Sequence, residues 1–140
     1  MPNNNIIDER NSNIQIYING SFYLRDDAKI SVFDSGFLLG DGIWEGIRLV
    51  KNEWLFIDEH IDRLFEGCLA VDITLDLSRD EIKEAILETQ KINNMTASAH
   101  ARVMLTRGDK IKPFQQPSLS TSGINFIIIM EHSSESPNLN

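Results

Sequence analysis

The chain has 140 residues, 41% of them hydrophobic and 24% charged, with 8 Gly, 4 Pro and a net charge of −8. These totals fit one soluble globular domain, able to bury roughly 70% of the surface its unfolded form exposes, and they exclude disordered and fibrous classes. The negative charge repels polyanions and excludes nucleic acid as a partner, because such binding draws on Lys and Arg neutralising phosphates.

Cys68 is the only cysteine, so no internal disulfide and no cysteine zinc cluster can form, and a cytoplasmic protein is the default reading. The longest apolar run, Phe126 to Met130, is far short of the ~20 residues that span a bilayer, so no membrane is expected. The opening MPNNNIIDERNSN has neither the basic region nor the apolar core of a secretion signal.

Residues 1–13 are Asn-rich and aperiodic and read as a loose arm. Ile14, Ile16 and Ile18 then alternate with Gln15 and Tyr17, the period of a half-buried strand. Asn19-Gly20 is the preferred type I′ hairpin turn, so Ser21 to Leu24 should pair back. Ala28 to Phe33 reads as a further short strand. Asp34 to Gly42 holds three glycines and resembles no helix. Ile43 to Val50 returns to strand, broken by Gly46, where a missing side chain admits a ligand or another backbone. After a turn at Lys51-Asn52-Glu53, Trp54 to Ile57 can pair back, and Asp58 is placed as a helix N-cap.

The helix after Asp58 carries Ile61, Leu64, Phe65, Cys68 and Leu69 at i, i+3, i+4, i+7 and i+8. A second helix starts at the capping box Ser78-Arg79-Asp80-Glu81, carries Ile82, Ala85, Ile86 and Thr89 on one face, and ends at Asn93-Asn94. His100 to Thr106 is another strand, Asp109 to Gly123 a loop, and Ile124 to Met130 an apolar strand buried on both faces. Residues 131–140 read as a polar linker or tail. The expected fold class is α+β, an antiparallel sheet flanked by two helices, with the domain itself at 14–130.

Few residues stand out chemically. The glycines from Gly36 to Gly42 would suit an anion cradle, but the stretch lacks the Gly-Lys-Ser/Thr ending of a P-loop, and a plain tight turn is the stronger reading. His60 and Arg63 lie three apart at a helix start, hence on one side of it, where free N–H groups and a guanidinium fork suit a phosphate; solvent exposure is the bland alternative. Arg102 projects from mid-strand within HARVMLTR. If it shares a face with His100 it can hold a carboxylate in a cleft; an edge-strand salt bridge competes equally. His60, His100 and His132 lack zinc-site spacing.

Together, Asp41-Gly42-Ile43-Trp44-Glu45-Gly46-Ile47-Arg48, Glu59-His60-Ile61-Asp62-Arg63-Leu64, and Arg102 with Arg107-Gly108 resemble the class IV aminotransferases of pyridoxal-phosphate fold type IV. The family includes branched-chain and D-amino acid aminotransferases and aminodeoxychorismate lyase, and the resemblance runs from about Ile14 to Met130. It implies pyridoxal 5′-phosphate as cofactor, an amino acid and a 2-oxo acid such as 2-oxoglutarate as reactants, and a homodimeric full-length enzyme. Arg63 matches the arginine that grips the cofactor phosphate. Trp44 sits where the family has an aromatic lining the substrate pocket, Gly46 where substrate nears the backbone, and Arg102 where branched-chain enzymes bind near the substrate carboxylate.

The loop DKIKPFQQP lacks the Arg and His that D-amino acid enzymes use for that task, which favours branched-chain substrates. Against this, Asp34-Ser35-Gly36 and Gly40-Asp41-Gly42 read like the D-amino acid group, and Leu39 replaces a pocket tyrosine of the branched-chain enzymes. In the family this region is the small N-terminal domain, and the Schiff-base lysine lies in a larger domain downstream. None of Lys29, Lys51, Lys83, Lys91, Lys110 and Lys112 falls at its place. The resemblance therefore implies no catalytic lysine here and a chain inactive by itself. The rival reading from another class is a non-catalytic dimerisation module.

Overall fold

The strand-period segments pair into one six-stranded antiparallel sheet in the computed structural model, which describes residues 7–120 and 123–134. The strands are β1 (Gln15–Ile18), β2 (Ser21–Leu24), β3 (Gly42–Val50), β4 (Glu53–Trp54), β5 (Ala99–Thr106) and β6 (Asn125–His132), in the spatial order β2-β1-β6-β5-β3-β4. Asn19 and Gly20 both take positive φ, as a type I′ turn requires, and β1 and β2 pair directly across them. The helices α2 (Ile57–Ala70) and α3 (Arg79–Ile92) cover one face, and a one-turn helix, α1 (Ser35–Leu39), precedes β3. This is the α+β sheet with two flanking helices that the periodicities predict.

Alternation decides which side chains meet the helices. Ile47 and Leu49 of β3, Ala101, Val103 and Leu105 of β5, and Ile128 and Met130 of β6 form one core with Ile61, Leu64 and Cys68 of α2 and Ile82, Ala85 and Ile86 of α3. The capping box of α3 is complete: Ser78 Oγ accepts from Glu81 N–H at 3.1 Å, and Glu81 Oε1 accepts from Ser78 N–H at 3.3 Å. Asn93 is its C-cap, and the Asn93 side chain also ties α3 to β1 through Gln15 N–H and C=O.

Several expectations are corrected. Ala28 to Phe33 forms no strand, and Ile30, Val32 and Phe33 are exposed. The segment is drawn across the strand ends by buried Asp34, whose carboxylate accepts from Thr106 Oγ1 and Asn125 Nδ2. The glycine-rich stretch does contain a helix, α1, because Asp34 caps it by accepting from Phe37 N–H at 3.0 Å and Gly40 closes it. β4 is only two residues long and the chain then reverses at Phe56, which takes φ 55 at the N-cap position of α2; Asp58 is the second helical residue and pairs with Lys83 instead of capping. Leu69 is 79% exposed. At 100° per residue it stands about 80° round from Ile61, outside the stripe that Ile61, Leu64 and Cys68 press onto the sheet.

The described part of the expected arm is structured. Glu9–Asn13 is a 3-10 helix, and Asn11, 7% exposed, bonds both the N–H and the C=O of His132. Glu131 and His132 accordingly complete β6 instead of starting a tail. The rest of the arm, residues 1–6, and of the tail, 135–140, lies outside the described residues. Among the described residues no helix is long and apolar enough to cross a membrane.

Two substitutions grade these contributions. Ile86, fully buried between α3 and the sheet, should lose about 2–5 kcal/mol of unfolding free energy on Ile86→Ala. Ser78→Ala, which removes only the cap, should lose about 1 kcal/mol. Urea denaturation of the two variants checks both, and equal losses would refute the ranking.

Candidate functional site

β3 runs beside β5 in an unbroken register from Gly42↔Thr106 to Leu49↔Ala99. Because side chains alternate, Trp44, Gly46 and Arg48 project from the face opposite the helices, together with His100, Arg102 and Met104 of β5. Gly46 is paired with Arg102, and Trp44 is its diagonal neighbour. The Arg102 guanidinium lies over the Trp44 ring, 3.9 Å from the centroid. Both side chains are open to solvent, Trp44 at 56%. The sequence condition placed on Arg102 is met: it shares a face with His100. A Cβ on Gly46 would lie 3.1 Å from His100 Nε2 and 3.8 Å from the Trp44 ring, so the glycine keeps a floor open between the two side chains.

The other face of the same strand carries a charge. Glu45 follows the parity of Ile43, Ile47 and Leu49 and is buried, its side chain 9% exposed. Its two oxygens are divided between two residues of α2: Oε2 is 2.9 Å from His60 Nδ1, and Oε1 faces the Arg63 guanidinium in an ion pair, 3.2 Å from Nε. A carboxylate offers only acceptors, so this geometry selects the His60 tautomer with the proton on Nδ1. Arg63 remains 66% exposed, and among the described residues none of its guanidinium N–H groups, the terminal pair included, makes a hydrogen bond. That donor pair is free for a bidentate oxyanion such as a phosphate. The helix begins at Ile57, so Arg63 stands nearly two turns in and the first-turn N–H groups are not beside it, a correction to the helix-end reading.

The structure thus brings Trp44, Gly46 and Arg102 together, and separately His60 and Arg63, with β3 between the two groups. β4 pairs with Leu49 and Val50 and Leu55 N–H bonds the Arg48 carbonyl at 2.9 Å, so the edge of β3 from Gly42 to Ile47 has no strand partner among the described residues. The glycine turn makes no anion cradle: Asp34 already places a carboxylate at the start of α1. Cys68 lies on the sheet-facing side of α2, and its burial there pushes the thiol above its usual range, away from the reactive thiolate. Among the described residues no group of three His, Cys, Asp or Glu side chains is arranged for a metal.

Two functional-looking residues escaped the sequence reading. Glu45 had a signal, an acidic residue on the inward parity of an apolar strand. Asp41 had none: it holds Arg107 through Nε at 2.6 Å, while the Arg107 terminal nitrogens donate to the carbonyls of Val71 and Asp72 at 2.7 and 2.8 Å. This arginine locks the start of β3 to the end of β5 and to the exit of α2.

The family model of amino-transferase class IV matches residues 42–138. A Methanocaldococcus jannaschii relative, named for the branched-chain-amino-acid aminotransferases, is 42% identical over 68% of this chain and 33% of its own length. The Listeria monocytogenes D-alanine aminotransferase is 30% identical over 68% of this chain and 32% of its own. Among solved structures, the branched-chain amino acid aminotransferase of Escherichia coli superposes with a TM-score of 0.75 at 25% identity, over 86% of this chain and 40% of that one. The chain therefore spans about a fifth to a third of the length of the curated relatives it matches.

The stack of Arg102 on Trp44 is directly measurable. Trp54 provides an internal reference, since its indole N–H is bonded to Gln90 Oε1 at 2.8 Å. Arg102→Ala should raise quenching of the Trp44 emission by acrylamide while lowering stability by no more than about 1 kcal/mol. Unchanged quenching would mean that the stack is absent in solution.

Proposed function

The chain belongs to the class IV aminotransferases, and from that premise we propose that it serves as the small-domain part of a pyridoxal-phosphate enzyme moving an amino group from a branched-chain amino acid to 2-oxoglutarate. The observation that carries this reading is the three-residue group on the open face: a guanidinium, an indole and a glycine side by side at Arg102, Trp44 and Gly46. Arg102 would orient the substrate carboxylate through its planar fork. Trp44 would form an apolar wall that excludes water, and Gly46 would leave room for the substrate α-carbon to approach the strand.

The donor set on the helix face fits the cofactor's phosphate, because the exposed terminal nitrogens of Arg63 are free. Pyridoxal phosphate, when bound, supplies the electron sink that lets a proton leave the substrate α-carbon. Arg63 would anchor the phosphate from the side of α2, and Arg102 would hold the carboxylate from the other face of the sheet. A ligand engaging both would lie across the unpaired edge of β3.

Proton transfer needs a lysine amine as well. Neither β3 nor β5 carries a lysine. Lys83 is paired with Asp58 and buried Lys110 donates to the Gln116 carbonyl at 3.1 Å. We therefore take the 140 residues alone to be without turnover. The active enzyme would be a homodimer, and exposed Val32, Phe37 and Phe114 are in keeping with further surface being covered in it. The branched-chain preference rests on Arg102 and on the higher identity of the Methanocaldococcus relative. The D-amino acid reading keeps the support of the Listeria relative and of Leu39 and the glycine turn.

Two measurements test this. Incubation of the chain with pyridoxal phosphate, borohydride reduction and peptide mapping should find no lysine labelled stoichiometrically. A single clean label that Arg63→Ala abolishes would overturn the inactivity. In a preparation that includes the lysine-bearing part of the enzyme, transamination of L-leucine should exceed that of D-alanine. The reverse order would shift the reading to the D-amino acid group.

A further inference from the structure

Glu45 is an unexpected residue to find against a core. Burial of a carboxylate costs several kcal/mol unless its oxygens are paired, and Ile or Val at this position would continue the apolar parity of Ile43, Ile47 and Leu49. Both oxygens are instead engaged by α2, one at His60 Nδ1 and one at Arg63 Nε. The exposures grade outward: Glu45 is 9% exposed, His60 21% and Arg63 66%. The carboxylate is therefore a buried charge that draws the inner edge of the guanidinium toward β3 while most of the Arg63 side chain stays in solvent.

The approach of α2 to β3 makes the contact possible. His60, Arg63 and Gly67 fall at i, i+3 and i+7, along one line of the helix. A Cβ on Gly67 would sit 2.9 Å from Ile43 Cγ2, so that turn rests on β3 as closely as backbone and side chain allow. Two observations, the close seat at Gly67 and the divided carboxylate, converge on the same two residues of the helix.

We propose that Glu45 is a positioning residue that, with His60 on its second oxygen, fixes the guanidinium of Arg63 in the orientation that receives a phosphate monoester. The inference rests on the reading of Arg63 as the phosphate anchor. Its content is that phosphate selectivity depends on a side chain that never touches the phosphate.

The probes are pyridoxamine 5′-phosphate and pyridoxamine, which differ only in the phosphate and carry no aldehyde to react with surface lysines. The 140-residue chain should prefer the phosphorylated probe in equilibrium binding, and Arg63→Lys should lose that preference. Glu45→Ala should reduce it about tenfold, because the ion pair that orients the guanidinium is lost. Glu45→Gln, which keeps the shape but removes the charge that faces Arg63, should reduce it by a similar factor.

In the unaltered chain the Arg63 Nε–H bond should show a higher NMR order parameter than in the Glu45→Gln variant, where the ion pair of Arg63 with residue 45 is lost. This measurement stands even where Glu45→Ala does not fold. If Arg63→Lys abolishes the preference and Glu45→Ala leaves it intact, or if the Arg63 Nε–H order parameter is the same with Glu45→Gln as without it, positioning by Glu45 is overturned and Arg63 keeps its role. No preference in the unaltered chain overturns both.

Discussion

Everything at the candidate site follows from the register between β3 and β5. Eight consecutive residue pairs, from Gly42↔Thr106 to Leu49↔Ala99, fix which side chains of β3 point to the helices and which point away. A slip of one residue would exchange the faces. Glu45 would then meet solvent, and Trp44 would be driven into Leu64 and Cys68. The apolar residues on the inward parity of three adjacent strands make that exchange prohibitive, because each would leave the core at once. The pairing is pinned at one end by Arg107, which bonds the Asp41 carboxylate and two carbonyls at the exit of α2.

The strand therefore has two chemically unlike sides over three residues. Trp44 and Gly46 belong with Arg102 on a solvent-open surface, and Glu45 between them belongs with His60 and Arg63. A sheet is about one backbone thick, so groups anchored on opposite sides stay near each other while having no direct contact. Such an arrangement lets one strand hold two ends of a ligand apart. It also separates two arginines whose like charges would repel on one surface.

Much of this was legible in the sequence, and the failures share a cause. The alternations at Ile14 to Ile18 and Ile43 to Val50, the Asn19-Gly20 turn, the Ser78 capping box and the Ile61, Leu64, Cys68 stripe all express local rules, and each element formed where its rule placed it. The misread segments are governed by distant partners. Asp34 caps α1 and is held by Thr106 and Asn125, which lie far along the chain. Asn11 orders the N-terminal turn because it reaches the His132 backbone across 121 positions. The Asp58 cap failed because Phe56 accepts a left-handed conformation that its residue type does not advertise. At the site, spacing placed His60 beside Arg63 and made the facing of Arg102 a condition to be met, but only packing revealed the carboxylate between the first two.

The unpaired edge of β3 poses a physical problem, since a free strand edge is a template for pairing with another chain. The residues along it weaken that template. Gly42 and Gly46 are poor strand formers, and Arg48 at its end adds a charge. On the helix side the seat of α2 at Gly67 brings His60 and Arg63 against Glu45, so side chains crowd the border where a further strand would have to dock. The features that would let a ligand reach the backbone, a glycine in mid-strand and no neighbouring strand, are thus the same ones that make the edge unattractive to other strands. An edge kept open in this way suits small-molecule approach better than β-augmentation, and β4 leaves it open because the chain turns at Phe56 into α2 after only two paired residues.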